Sequence, residues 1–509
     1  MDLTLPDNAK RQPNTASSLT KTGLHTIGAG LSLLIAVGLL AALWGRMINH
    51  DTAWYLLATR EWLDGARPYV DFSEVNPPLN YYYTVPPILL ANFFGISDTN
   101  AQYLVVCALI FVSLFWSWAL LSEKALLPLP RRMCFLIGLG VALIIPALGD
   151  IGQREHMLVV FIAPWLLAEI AGSPKRLRRG VVACAVFAAL GICLKPHFIL
   201  FPILVTCGHI LRTRSLRPVL ALSNITMFSV GFIYLIAVYG LHPEYFSDVI
   251  PLTRQVYGSI GGTGDAVLFR LAVTLLPFAV VGATMLVTKT APAGTQVFVS
   301  AAVAGMLCYL MQWTGFGYHI IPFNAFAIMA GIWIILHADR ITPLVVGCLG
   351  AVSVVLWTSV QSGFYGVPAV EDLIRAISSL PPPDHVLVVS TYVHAGPPVA
   401  LALGAKWASR YPGNWMVPGV VNGLRRADCG ADPALCARLT GIANRSRTEN
   451  LADIAKYQPA ILVIDRHSGY IEDPAFTWYD FLGKDPRWQT ILAKYHLSKT
   501  TQRFEIWSR

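Results

Sequence analysis

This chain contains few charged residues. Only 13% of its 509 residues are charged and 55% are hydrophobic, whereas a soluble globular chain carries roughly 25% charged residues. The deficit is uneven, because charged residues are scarce between about positions 24 and 361 and ordinary from Glu371 onward. A single soluble domain is therefore excluded. The sequence predicts a long membrane part followed by a water-soluble C-terminal part.

Several sequence motifs are also missing. The chain has no Gly-rich loop of the P-loop type, no Gly-x-Ser-x-Gly elbow and no Cys/His spacing typical of zinc. It has no inverted internal repeat of the kind that marks many secondary transporters. These absences argue against nucleotide, serine-hydrolase and zinc chemistry, and we predict no metal ligands.

The net charge of +9 does not indicate a nucleic-acid partner, because the basic residues stand in short clusters between apolar runs. These clusters are Arg131 with Arg132, the run 175–179, and Arg212 with Arg214 and Arg217. Short, positively charged loops stay on the cytoplasmic side of a membrane. We therefore predict that the partner is a lipid bilayer and not a nucleic acid. The basic clusters determine the orientation of the chain in the membrane.

A helix needs about 20 apolar residues to cross the hydrocarbon core, and eleven runs approach that length. They are 24–43, 101–121, 133–148, 157–170, 181–194, 198–211, 219–239, 266–287, 297–312, 320–336 and 341–360. The first run is too long for a signal-peptide core, so we predict an uncleaved anchor after a cytoplasmic N-terminus at 1–23. The expected protein is an α-helical, multi-pass protein of the inner (plasma) membrane.

A further apolar stretch, 77–95, is predicted to lie at the outer interface. Counting it as a span would place Arg131, Arg132 and every later basic cluster outside, against the charge rule. Its tyrosines at 81–83 suit the interface, where aromatic rings prefer to sit. The resulting domains are a membrane domain over 24–360, with a first outer loop at 44–100, and an extracytoplasmic domain over 361–509.

The C-terminal part has the pattern of a small α/β domain. Runs 385–390 and 460–465 are rich in Val and Ile and predict strands, while 451–457 and 479–495 predict helices. Seven of the nine cysteines lie in apolar segments. Cys429 and Cys436 could form a disulfide if this domain faces an oxidising compartment.

The first outer loop carries the strongest functional signal. Asp51 stands near the membrane edge, where an ionised group is costly unless it has a role. It begins a predicted amphipathic helix that Gly65 can end. The alternative that Asp51 is only the N-cap of this helix stays open, because Asp is preferred at that position.

Directly after the first span, the chain places Asp51, Tyr55, Arg60-Glu61, Gly65 and Pro77-Pro78-Leu79 in that order. This order resembles the GT-C superfamily of membrane glycosyltransferases, which use polyprenyl-phosphate sugars. The likeness is strongest to the lipid A aminoarabinose transferases and the protein O-mannosyltransferases. It implies a GT-C-like fold with interfacial helices and a C-terminal outer domain.

The resemblance also implies roles for individual residues. Asp51 takes the position of the catalytic or metal-associated acid of the family, and Asp150 or Glu155 that of a second acid in a later outer loop. Thr52 stands where many members have another acid. That difference puts a Mg²⁺ or Mn²⁺ requirement in doubt and leaves the base role of Asp51 open.

Other polar residues gather at the outer ends of the spans. Asp150, Arg154, Glu155 and His156 fall within seven positions, and the alternative is a solvated loop whose charges cap two helices. Lys195 stands outside, against the trend for basic residues, which suggests an anionic ligand. The remaining substrate-binding candidates are Tyr55, Glu74, His197, Arg254, Tyr318 and His319. Lone histidines at a membrane edge are more often hydrogen-bonded interfacial residues than ligands.

These groups suit transfer of a hexose or pentose from a polyprenyl phosphate. A carboxylate accepts the proton of the acceptor hydroxyl, and a cation stabilises the departing phosphate. We expect inversion, with Asp51 as base and Lys195, Arg154 or Arg254 on the phosphate. The acceptor, whether glycan, glycolipid or protein, stays open. The alternatives are a polysaccharide polymerase or ligase, which would use the same donor, and a transporter or flippase of a lipid-linked sugar.

Overall fold

The computed structural model describes residues 21–123, 126–172, 178–259, 264–288 and 291–509. Parts of the basic clusters used for orientation, namely Lys124, 175–177 and Lys289, lie outside the described residues. The described chain is an assembly of helices that ends in a small mixed sheet. The predicted α-helical multi-pass fold is confirmed.

Fourteen α-helices of the described chain precede the C-terminal part. They are α1 (Lys21–Leu43), α2 (His50–Leu63), α3 (Leu79–Phe94), α4 (Asp98–Glu123), α5 (Leu129–Ile144), α6 (Arg154–Ala171), α7 (Arg178–Ile192), α8 (Leu200–Thr213), α9 (Leu222–Leu241), α10 (Ile250–Val256), α11 (Gly264–Thr288), α12 (Thr295–Gln312), α13 (Ile321–His337) and α14 (Pro343–Ser362). Short 3₁₀ segments connect several of them, at Ile145–Asp150, Pro196–Ile199, Arg217–Leu220, Tyr257–Ser259 and Gly317–Ile320, and a π-helical turn lies at Tyr245–Val249.

Within the described residues, eight helices are long and apolar enough to cross a membrane. They are Thr22–Leu43, Asp98–Glu123, Leu129–Asp150, Leu222–Leu241, Gly264–Val287, Thr295–Gln312, Gly317–His337 and Pro343–Ser362. The three other predicted spans form α6, α7 and α8. Helices α7 and α8 have only 15 and 14 residues. Helix α6 begins with Arg154 and Glu155, is buried continuously to Leu167, and packs against α4 and α7.

The stretch predicted to lie at the interface forms α3, which has 16 residues and contains Pro86 and Pro87. Gly95 ends it in the left-handed conformation, with φ at 64°. Helix α3 packs against α2 and α4. Its last turns leave Phe93 and Phe94 exposed, as suits a helix beside lipid. Its interfacial position stays a prediction.

The C-terminal part consists of six helices and five strands. They are α15 (Pro368–Ser378), β1 (His385–Val389), α16 (Pro397–Leu403), β2 (Lys406–Trp407), α17 (Met416–Arg426), α18 (Pro433–Tyr457), β3 (Ile461–Asp465), α19 (Trp478–Gly483), α20 (Arg487–Leu492), β4 (His496–Thr500) and β5 (Phe504–Ser508). The strand order is β2-β1-β3-β5-β4. Strand β1 is parallel to β2 and β3, and β5 is antiparallel to β3 and β4.

Side chains of the central strands alternate between two cores, as the period of a strand requires. Val386 and Val463 face a core that they share with Trp54 and Phe72 of the first outer loop. Leu387 and the rest of the opposite face pack against α17, α18, α19 and α20. The C-terminal domain is therefore packed directly on the loop that carries Asp51.

The predicted helix over 479–495 is wrong in its extent. Two short helices, α19 and α20, replace it, with Pro486 at the N-cap of α20. Proline lacks a backbone N–H and does not fit the interior of a helix. The disulfide considered from the sequence is present, between Cys429 and Cys436, whose Cα atoms lie 5.6 Å apart.

Three contacts hold the C-terminal domain on the membrane part. Arg445 of α18 forms two hydrogen bonds with Asp248, at 2.7 and 2.8 Å. The backbone N–H of Ser73 donates to the carbonyl of Arg410 at 2.9 Å. Gly419 of α17 lies so close to α10 that a Cβ there would overlap a backbone carbonyl of α10. These contacts fix the space between the two parts.

Candidate active site

A cavity of about 250 Å³ lies between the membrane part and the C-terminal domain. Its floor comes from the membrane part: His50, Asp51, Glu74, Val75, Asn76, Asp150, Arg154, Tyr257, Phe316, Gly317 and Tyr318. Its roof comes from the C-terminal domain: Thr391, Val393, His394, Pro412, Trp415, Pro418 and Tyr470. Residues far apart in sequence therefore meet around one space, which is the usual form of a ligand site.

Asp51 is presented to this cavity by the first turn of α2. The N-cap of α2 is Asn49, whose side-chain oxygen accepts a hydrogen bond from the backbone N–H of Thr52 at 3.0 Å. The same side chain donates to the carbonyl of Ile151 at 2.9 Å. The interpretation of Asp51 as only an N-cap is thus wrong, because Asn49 fills that role and leaves Asp51 free to point elsewhere.

Arg154 is the partner of Asp51. Its Nη2 atom lies 2.5 Å from Oδ2 of Asp51, and its Nη1 atom donates to the hydroxyl of Tyr55 at 2.7 Å. Burial acts to raise the pKa of Asp51, but the charge of Arg154, together with that of Lys195, outweighs it and lowers that pKa to about 2. Asp51 is therefore ionised, and 23% of its side chain remains exposed toward the cavity.

A second ion pair lies directly beside the first. Nζ of Lys195 lies 2.5 Å from Oε1 of Glu155 and donates to the side-chain oxygen of Gln312 at 2.9 Å. His319 completes this cluster, with Nε2 3.5 Å from Nζ of Lys195 and Nδ1 2.8 Å from the hydroxyl of Thr314. Lys195 and Glu155 are almost fully buried and do not line the cavity.

Two further predicted acids do line the cavity. Asp150 ends the 3₁₀ segment that precedes α6, and Glu74 lies in the first outer loop. Burial raises the pKa of Glu74, which accepts a hydrogen bond from the backbone N–H of Asn76 at 3.2 Å. Among the described residues, no group of three or more His, Cys, Asp or Glu could hold a metal ion. The lack of metal ligands stays a prediction, and the resemblance alone raises the question of Mg²⁺ or Mn²⁺.

The structure does not bring every predicted site residue to the cavity. His156 is fully buried, accepts from the backbone N–H of Gly152 at 3.0 Å and contacts the carbonyl of Leu143 at 3.0 Å, so it holds the turn before α6. His197 is half-buried and does not line the cavity. Arg254 is exposed on α10, away from the cavity. Tyr318 lines the floor.

Several residues at the cavity were not among the predicted site residues. His50 lies with Nε2 3.4 Å from Oδ1 of Asp51, and its ring centroid is 4.4 Å from that of His394. Burial lowers the pKa of His50, so it is neutral near pH 7. The position of His50 next to Asp51 in the sequence could have identified it as a site residue. His394 and Tyr470 could not be found that way, because only the docking of the C-terminal domain brings them here.

Comparison with known proteins adds evidence on the fold. No protein-family model and no curated protein matches this chain. A crystal structure of ArnT from Cupriavidus metallidurans bound to undecaprenyl phosphate is similar over 96% of this chain and 98% of that chain, with a TM-score of 0.53 and 15% identity. This chain has a GT-C-like fold. The apo structure of the same ArnT agrees, with a TM-score of 0.51, 14% identity and the same coverage.

Proposed function

We propose that this protein transfers a sugar from a polyprenyl-phosphate donor to an acceptor hydroxyl at the outer face of the membrane. The GT-C-like fold supports this function, because the similar ArnT structure contains bound undecaprenyl phosphate. The cavity supports it independently. Its floor joins an ionised acid to a buried cation, and these are the two charges that such a transfer requires.

The single observation that carries the proposal is the Asp51–Arg154 pair at the cavity floor, joined at 2.5 Å. Of the three cations expected to bind phosphate, Arg154 lines the cavity, whereas Lys195 is engaged by Glu155 and Arg254 lies elsewhere. The guanidinium of Arg154 can form charge-assisted hydrogen bonds with the donor phosphate. Arg154 is thus the cation that stabilises the phosphate as it leaves.

Asp51 accepts the proton of the attacking hydroxyl. While Arg154 is bound to it, the carboxylate is a weak base, because its pKa lies at about 2. A donor phosphate competes for the same guanidinium, and any loss of that contact raises the basicity of Asp51. Donor binding therefore prepares the base. The bond to the leaving oxygen breaks as the hydroxyl oxygen attacks from the opposite face, which inverts the anomeric carbon.

The test uses purified protein in proteoliposomes with a radiolabelled polyprenyl-phosphate monosaccharide, together with membrane extract as the source of acceptor. We expect the wild type to form a new glycosidic product, and Asp51→Asn to reduce its rate by at least about 100-fold. Asp64→Asn is the matched control, because Asp64 ends the same helix and is exposed. Movement of intact donor across the vesicle without product would instead indicate a flippase. Full activity of Asp51→Asn would remove Asp51 from the mechanism.

A further inference from the structure

The floor and the roof of the cavity differ sharply in charge. The floor carries Asp51, Glu74, Asp150 and Arg154. None of the seven described residues of the roof is Asp, Glu, Lys or Arg. The roof instead contains two large aromatic side chains, Trp415 and Tyr470. It also contains the hydroxyl of Thr391 and the imidazole of His394. The charged chemistry is thus confined to one side of the cavity.

Trp415 has an unused hydrogen-bond donor. Its side chain is 5% exposed and lines the cavity, and its Nε1 atom has no hydrogen-bond partner among the described residues. A buried polar group without a partner is costly, and a buried indole N–H usually finds one. Because the Nε1 atom is itself buried, a ligand hydroxyl in the cavity supplies the missing acceptor once the Trp415 ring rotates toward the cavity.

Other aromatic rings surround the same space. The ring of Tyr257 lies 6.3 Å from that of Trp415, and the ring of Phe316 lies 6.3 Å from that of Tyr470. Aromatic faces provide flat apolar surfaces for the C–H groups of a sugar ring, while an indole N–H or a phenol can bind its hydroxyl groups. The aromatic rings and hydrogen-bonding groups at the roof are therefore suited to bind a neutral, hydroxyl-rich sugar ring.

The roof is also held rigidly. The carbonyl of Tyr470 accepts a hydrogen bond from the side chain of Asn422 at 3.0 Å, and its backbone N–H donates to the hydroxyl of Thr391 at 3.4 Å. Trp415 lies directly before α17, and Gly419 docks that helix tightly on α10. A rigid surface loses little entropy when a ligand binds.

We propose that the roof is the acceptor subsite and that the acceptor presents an uncharged sugar ring to it. The inference rests on the proposed function. A lipid-linked donor must reach the cavity from the bilayer, and its phosphate pairs with Arg154 on the floor, so the C-terminal domain faces the other substrate. An acceptor with a phosphate or carboxylate at this position would meet no cation on the roof, and its desolvation would not be compensated.

The first experiment measures binding without turnover. Saturation-transfer difference NMR on the purified full-length protein uses methyl glucoside and methyl galactoside as neutral probes, with glucose 6-phosphate and a serine peptide as the competing classes. We expect the neutral glycosides to bind more tightly than either alternative. Trp415→Phe keeps an aromatic ring and removes the N–H, so it should weaken glycoside binding about two- to tenfold. Trp507→Phe is the matched control, because Trp507 lies on β5, away from the cavity.

A second experiment adds the labelled donor and measures transfer to the same probes. Trp415→Phe and Tyr470→Ala should raise the KM for the neutral glycoside and leave the KM for the donor unchanged. Tyr470 is only half-buried, so its replacement keeps the test valid if Trp415→Phe folds poorly. Preferred binding of the phosphorylated sugar or the peptide would overturn the inference, as would glycoside binding that neither variant changes. Glycoside binding without any donor consumption would instead contradict the proposed function.

Discussion

Arg154→Gln removes the guanidinium that holds Asp51 ionised. In the wild type, the charges around Asp51 overcome the effect of burial and lower its pKa from an ordinary 3.8 to about 2. This difference corresponds to about 2 kcal/mol in favour of the carboxylate, at 1.36 kcal/mol per pKa unit. In the variant, burial acts with less opposition, so the pKa of Asp51 should rise.

The assay is the pH dependence of kcat/KM for sugar transfer between pH 4 and 8, because kcat/KM reports the pKa values of the free enzyme. A base must be unprotonated to act, so activity falls as the pH drops through the pKa of Asp51. The wild type should therefore show no loss from Asp51 above about pH 4. Arg154→Gln should be less active at every pH, because it also lacks the phosphate contact, and its residual activity should fall further as the pH drops toward the raised pKa of Asp51. Arg60→Gln is the control, because Arg60 lies on α2, the helix that carries Asp51, and pairs with Asp98. An Arg154→Gln profile with the same acid limb as the wild type would refute the reasoning.

Three further predictions concern stability and packing. Lys195→Met should lower the free energy of unfolding by about 3–5 kcal/mol in a detergent melting experiment, because it leaves the buried charge of Glu155 unpaired. Gly419→Ala should lower the melting temperature and raise the KM for the acceptor, because the added methyl group pushes α17 off α10. Reduction of the Cys429–Cys436 disulfide should destabilise the C-terminal domain by about 2.5 kcal/mol, seen as a lower melting temperature in reductant.

The first two of these predictions have matched control variants. The double variant with Lys195→Met and Glu155→Gln should recover part of the lost stability, since it removes both charges. Gly441→Ala lies within α18 and faces open space, so it should leave the protein as stable or slightly more stable. A Gly419→Ala protein with wild-type melting and KM would contradict the close approach to α10. Unchanged melting after verified reduction would show that the disulfide adds nothing.

Much of the membrane part could be predicted from the sequence, because a helix in lipid needs a long apolar run and leaves a clear pattern. Helix α6 was harder to interpret, since it is buried by other helices and carries two charged residues in its first turn. The hairpin of β4 and β5 was not predicted, and only β5 has an alternating apolar pattern. Strand β4 is largely polar and exposed, so its residues resemble those of a loop.

The candidate site was predictable only where it is local in sequence. Asp51, Asp150 and Arg154 stand in loops between apolar spans, and charged groups at such positions indicate a functional site. The contact between Asp51 and Arg154 depends on the packing of α2 against the start of α6, which no sequence spacing encodes. The place of Trp415 at the cavity depends on the docking of the whole C-terminal domain.

The most direct test of the central claim is a cryo-electron microscopy structure of this protein with undecaprenyl phosphate bound. The account predicts that the phosphate lies in the cavity between the membrane part and the C-terminal domain, within about 3 Å of the guanidinium of Arg154. Asp51 should face the same space. A phosphate bound to Arg254 or at another surface, with the Asp51–Arg154 cavity empty, would contradict it.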